Sequence, residues 1–226
     1  MASLRATAQC IGLSGQISIR TDFYGYRTKV PLSLSLLAQV RLLQGKHIHL
    51  NLIQTASFDD SQQEEIDYGL QVMRNIYATV NMGVGRIQRF FIPPGHEVID
   101  GDSEAKDLWN EFSVSNAGID VFLVLSIVGD SNGKSRTPGS CDKDSKNDSG
   151  CVIEVKNTAD GTGVKLGQTI GHEVGHYLGL DQDFKGNHSP DPNNLMFHIV
   201  SNGGQLTGGQ GGVMKLHCSM RAGCQA

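Results

Sequence analysis

One nine-residue stretch constrains this chain more than any other: Gly171-His172-Glu173-Val174-Gly175-His176-Tyr177-Leu178-Gly179. On an α-helix, residues four apart stand one above the other with Cβ atoms roughly 5 to 6 Å apart, so His172 and His176 can aim both imidazoles at one ion. Glu173 lies one residue further round, placed to take a proton from a water rather than to bind the ion. The pattern implies a catalytic zinc site, which needs a third protein ligand and an open fourth position. A water held there has its pKa lowered to about 7 and becomes a nucleophile at neutral pH.

The rest of the composition narrows the alternatives. A chain of 226 residues supports one well-buried domain, or one domain plus an appendage. With 19 basic against 23 acidic residues and a net charge of −4, it carries no electrostatic footprint for nucleic acid. No apolar run reaches the 18 or so residues of a transmembrane helix. Residues 1–19 interrupt their apolar side chains with Ser, Gln and Gly, so they do not read as a signal peptide, and export by another route or earlier removal is expected. Cys141 and Cys151 bracket a polar loop, and Cys218 and Cys224 bracket the C-terminal tail. Paired in this way they would make two local disulfides, each contributing about 2 to 3 kcal/mol in an oxidising, extracellular compartment; five reduced thiols are the alternative. Cys10 is then the odd cysteine, either a plain unpaired thiol or a removable fourth ligand to the metal of a latent enzyme.

Along the chain, residues 47–54 alternate polar and apolar side chains as a half-buried strand does, with His47 and His49 as a surface pair rather than a second metal site. Ile66, Leu70, Met73, Ile76, Tyr77 and Val80 are spaced by threes and fours behind a capping signal at Ser61 and Glu64, which predicts a long amphipathic helix over 59–80. A strand over 86–92, a short helix over 103–113 and an uninterrupted apolar strand over 119–128 follow. Strands alternating with helices point to an α/β layered domain. Gly129 to Ser135 ends in Gly-Lys-Ser like a phosphate-binding loop, but it has three residues between its glycines where that loop needs four, and the chain continues into Arg136-Thr137-Pro138-Gly139 instead of a helix. It reads as a surface loop. Asp142, Asp144 and Asp148 lack the central Gly and final Glu of a calcium loop, so no motif supports structural calcium. Residues 152–156 form a strand, Gly161, Gly163 and Gly167 a flexible turn, and 164–180 the helix bearing the two histidines, stopped by Gly179.

The run HEVGHYLGLDQD, together with His188-Ser189-Pro190-Asp191-Pro192-Asn193-Asn194-Leu195-Met196, resembles the metzincin zinc peptidases, and in particular their matrixin-like branch. That family carries His-Glu-x-x-His-x-x-Gly-x-x-His followed by a turn with a methionine beneath the metal. Here Gln182 stands where the third histidine belongs, and an amide is a poor zinc ligand. His188 precedes Met196 by the family's separation of eight, so the resemblance implies a looped-out hexapeptide, 182–187, with His188 as third ligand. Asp183, Asp181 or no third ligand are the alternatives. The nine steps from Gly179 to His188 reach at most about 30 Å, ample for such a loop.

The resemblance further implies a twisted mixed five-stranded sheet with a backing helix, an active-site helix and a C-terminal helix starting near residue 206. It implies one catalytic zinc, Glu173 as general base, Met196 as the floor of the site, and His198 as a transition-state or pocket residue. It also implies a peptide or protein substrate paired along 152–156 as an antiparallel edge strand. Residues 45–226 would be this catalytic domain and 1–44 an extension on which the resemblance is silent. The expected protein is a secreted, monomeric zinc endopeptidase. The rivals are a metal-stabilised binding module without catalysis and a nucleotide-binding protein built on Gly133-Lys134-Ser135.

Overall fold

The computed structural model describes residues 23–24, 31–32, 45–142, 149–155, 163–180, 188–199 and 203–222. The chain divides into two compact units, Met1–Gln44 and Gly45–Ala226. In the first, β1 (Phe23–Tyr24) and β2 (Pro31–Leu32) pair antiparallel, with Phe23 opposite Leu32. Cys10, Cys224 and the acidic residues Asp144 and Asp148 lie outside the described residues.

In the second unit the elements run β3 (His47–Gln54), α1 (Asp60–Ala78), β4 (Gly83–Phe91), β5 (Val98–Ile99), α2 (Asp102–Phe112), β6 (Gly118–Val124), β7 (Ser126–Ile127), β8 (Gly133–Ser135), β9 (Cys151–Glu154), α3 (Val164–Tyr177) and α4 (Gly208–Met214). The main sheet has the order β4-β3-β6-β9-β8. Its first four strands are parallel, and β8 is antiparallel at the edge. This is the expected mixed five-stranded sheet with a backing helix, a histidine-bearing helix and a C-terminal helix.

Parallel strands are covered on both faces, and the alternation within each strand assigns those faces. Ile48, Leu50 and Leu52 of β3, with Ile119, Val121 and Leu123 of β6, pack against α1 and α3. Ile53, Phe122, Val124 and Val152 point the other way, onto Leu108 and Trp109 of α2. On that second face Asn51, Asn116 and Asp120 close a buried network: Asn51 Nδ2 donates to Asp120 Oδ1 at 2.7 Å and to Asn116 Oδ1 at 2.8 Å, and Ser113 donates to Asp120 at 2.8 Å. Beyond it, His47 and His49 are buried rather than on the surface, because β4 carries Gly85 where a side chain would strike both rings; the Arg86 N–H donates to His49 Nδ1.

Several expectations are corrected. The apolar run 119–128 is two strands, because Leu125 and Ser126 both turn their N–H groups to the Glu97 carbonyl and β7 joins β5 instead of continuing the main sheet. The antiparallel edge strand is β8, not 152–156. β9 is interior, paired parallel to β6 and antiparallel to β8. Neither local disulfide forms: Cys141 bonds Cys218 across 77 residues, with Cα atoms 5.5 Å apart. Cys151 is a free thiol, fully buried at the start of β9 within the sheet, whereas Cys141 is exposed.

Of the glycines read as a flexible turn, Gly161 lies outside the described residues, and Gly163 and Gly167 belong to the histidine helix. Gly163 takes φ +64° at the helix start, and Gly167 lies inside α3 where it crosses α1 at Gly69. A Cβ at Gly167 would fall 2.4 Å from the Gly69 carbonyl oxygen, a backbone atom that cannot step aside. Gly167→Ala gains up to about 1 kcal/mol of helix propensity, but forcing the helices apart costs more. The variant is expected to be destabilised by a net 2 kcal/mol or so, read as a lower urea midpoint at unchanged slope; an unchanged or raised midpoint would contradict the close crossing.

Candidate metal centre

The site begins with how α3 ends. Gly179 takes φ +93°, so its N–H reaches the His176 carbonyl at 2.8 Å while the Leu180 N–H reaches the Gly175 carbonyl at 3.0 Å, the paired bonds of a Schellman stop. This reversal carries the Leu180 carbonyl back alongside the helix, where His176 Nδ1 donates to it at 2.7 Å. His172 Nδ1 donates in the same way to the Leu195 carbonyl at 2.7 Å. That carbonyl is held by its own turn, in which Leu195 N–H bonds Gln205 O, Met196 N–H bonds Asn194 Oδ1, and the Asn194 and Gln210 amides bond reciprocally.

Carbonyl oxygens only accept, so each Nδ1 carries the proton, and each neutral ring turns an unprotonated Nε2 inward. The two Nε2 atoms lie 3.0 Å apart. Two acceptors at that distance repel unless a cation lies between them. Burial, more than any other cause, lowers His172 from 6.5 to about 3, with His176 beside it adding to the effect; burial lowers His176 to about 4, against the bond to Leu180. Protonation is thus disfavoured, and a metal ion is the cation these donors fit.

His188 completes the group. Its ring stacks on His172 at 5.2 Å and 20° and stands edge-on to His176 at 5.2 Å, and ligand nitrogens of all three lie within 4.8 Å of one another. Asp181 and Asp183 lie outside the described residues, and among those described no carboxylate joins the group. Met196 is buried beneath α3, its sulfur 2.9 Å from where a Cβ of Gly175 would be. His198 is exposed at the cleft margin, its ring 6.5 Å from that of His188.

Glu173 is buried beside the ligands, and burial raises its carboxyl from 4.5 to about 8 against the opposing pull of Lys134. Its room comes from Gly133: a Cβ there would lie 2.7 Å from Glu173 Oε1. A cleft of about 860 Å³ opens above the three histidines, lined by β8 on one side, by Asp102, Lys106 and Trp109 of α2, and by His198 and Ile199. Lys134 reaches across to Asp102 at 2.8 Å. The segment read as a surface loop is therefore the cleft wall, and nothing in its polar Gly-Lys-Ser signalled a strand. It continues into neither a helix nor a phosphate cradle, and the nucleotide reading has no structural footing.

No protein-family model matches this sequence, and none of the curated proteins does. Solved structures do. Archaemetzincin from Methanopyrus kandleri is similar over 75% of this chain and 94% of its own, at 12% identity and a TM-score of 0.55. A chain solved in a chaperone–substrate complex is similar over 78% of this chain and 34% of its own, at 12% identity and a TM-score of 0.51. Metalloproteinase-II from Bacteroides fragilis matches 79% of this chain at 13% identity with a TM-score of 0.49, and this chain spans 54% of its length. The likeness to archaemetzincin shows a metallopeptidase-like fold.

The depressed histidines have a measurable consequence. Their folded pKa values lie below the unfolded 6.5, so the unfolded chain binds more protons as pH falls, and the folded state loses stability from pH 6.5 down towards 4. At pH 4.5 this amounts to about 2 kcal/mol for each ring. Chelator-treated protein should therefore unfold at lower urea at pH 4.5 than at 6.5, and His172→Asn/His176→Asn should remove most of that slope. An equal slope in the double variant would contradict the two buried neutral rings.

Proposed function

We propose that this chain is a matrixin-like zinc-dependent endopeptidase of the metzincin type that departs from that family's signature by taking its third ligand from His188 instead of position 182. The observation that carries the reading is the pair of unprotonated Nε2 atoms 3.0 Å apart, with the His188 ring beside them. His172, His176 and His188 would hold the ion, which supplies a Lewis acid to polarise a peptide carbonyl and acidify a water.

The chain's own groups do the rest. Glu173, adjacent to the ligands and buried, takes the proton of the attacking water and passes it to the leaving amine. A carboxyl raised towards neutral pH is matched to both transfers. Among the described residues β8 is the edge strand of the main sheet, and it lines the cleft, so an extended substrate would lie along it as a further antiparallel strand. Met196 would brace the underside of α3, and His198 would form a wall of the substrate pocket. No described helix is long and apolar enough to cross a membrane, and a Cys141–Cys218 disulfide fits a secreted enzyme.

Incubation of the protein with a mixture of denatured proteins, followed by mass spectrometry of released peptides, tests the activity. Cleavage should vanish with a zinc chelator and return with zinc. Glu173→Ala should keep its metal and lose activity by about three orders of magnitude or more, the scale expected when a general base is removed together with its orienting role. His188→Ala should lose metal. Bound zinc with no cleavage of any substrate would instead leave a metal-stabilised binding module.

A further inference from the structure

A second group of metal-type donors sits apart from the histidine triad. Cys141 Sγ, Cys218 Sγ and a ring nitrogen of His217 all lie within 4.8 Å of one another. Cys141 is exposed, and His217 and Cys218 are half-buried, so a reductant has access to the bond between the two sulfurs. His217 is already oriented. The Ser219 N–H donates to its Nδ1 at 3.2 Å, its Nε2 faces the Gly139 carbonyl at 3.3 Å, and its ring lies edge-on to Tyr177 at 5.5 Å. Nδ1 is thus the unprotonated nitrogen, 3.8 Å from Cys218 Sγ, and a metal bound there would take the lone pair that now accepts from the Ser219 N–H.

We propose that this cluster is a redox-gated zinc site, in which Cys141, Cys218 and Nδ1 of His217 bind one ion when the disulfide is reduced. Two thiolates and an imidazole are the soft and borderline donors zinc selects. Zn–S bonds of about 2.3 Å in a tetrahedron set the sulfurs about 3.8 Å apart. Cα atoms 5.5 Å apart reach that separation by side-chain rotation. A trialkylphosphine reductant gives two electrons to the S–S bond and takes the oxygen of a water to become the phosphine oxide. The two protons of that water go to the two sulfurs. Zinc then displaces both thiol protons, and solvent fills the fourth position.

The site would matter because of what it joins. The segment after β8 runs past the C-terminal end of α3, where the Gly139 N–H bonds the Tyr177 carbonyl at 2.8 Å and the Tyr177 hydroxyl bonds the Ser140 carbonyl at 3.2 Å. Tyr177 directly follows His176. The Cys141–Cys218 link fastens this segment to the chain beyond α4, and a metal bridge would keep it fastened where a disulfide is reduced.

The full chain, oxidised or treated with a trialkylphosphine, is titrated anaerobically with cobalt(II), and thiolate-to-cobalt charge transfer is followed in the near ultraviolet. The histidine triad has no thiolate and is silent in this band. Reduction should bring the band up together with one further equivalent of bound metal. His217→Ala, which retains both cysteines, should weaken binding of that equivalent by tenfold or more, and Cys141→Ser should abolish the band. A Cys10→Ser/Cys151→Ser/Cys224→Ser background, checked for folding by circular dichroism, should keep it; if that background does not fold, the three single serine variants replace it. No further equivalent on reduction, a band unaffected by His217→Ala and Cys141→Ser, or a band lost with Cys10, Cys151 or Cys224 would overturn the proposal.

Discussion

Two backbone carbonyls govern this structure. Leu180 O and Leu195 O each accept a hydrogen bond from the Nδ1–H of one histidine, and that choice of tautomer leaves two unprotonated Nε2 atoms facing each other at 3.0 Å. The facing lone pairs are unfavourable in themselves, and each buried ring resists the proton that would relieve them. A site held in this way is organised before any ligand arrives, because the rings cannot turn without leaving a carbonyl unpaired in the interior.

The surrounding fold serves those two oxygens. Leu180 O is delivered by the reversal at Gly179, and Leu195 O by a turn cross-linked to the start of α4 through the Asn194–Gln210 amide pair. The helix between them is positioned from behind: Gly167 lets α3 cross α1 at backbone contact, and the Tyr77 hydroxyl donates to the Gly171 carbonyl at 2.8 Å, one residue before His172. On the open side, β8 leaves Glu173 its space through Gly133 and closes the cleft with Lys134 on Asp102.

What could be read in the sequence was what is local. The i, i+4 histidines, the stop at Gly179 and the stripe of α1 follow from helix geometry alone. The mixed sheet with its three helices came with the resemblance carried by HEVGHYLG and the Met196 turn. The failures share one cause, which is that the deciding partner is remote in sequence. Cys141 meets Cys218 rather than its neighbour Cys151, because β9 is buried inside the sheet. Gly167 looked flexible because Gly69 is invisible from it. β8 is three residues without alternation, and only pairing with β9 makes it a strand.

The central claim is that the three rings enclose one divalent ion. An anomalous difference map recorded across the zinc absorption edge, from crystals of chelator-free protein soaked in zinc, tests it directly. The account predicts one strong peak in contact with His172, His176 and His188. A pocket without anomalous density, or a peak lacking His188, would contradict it.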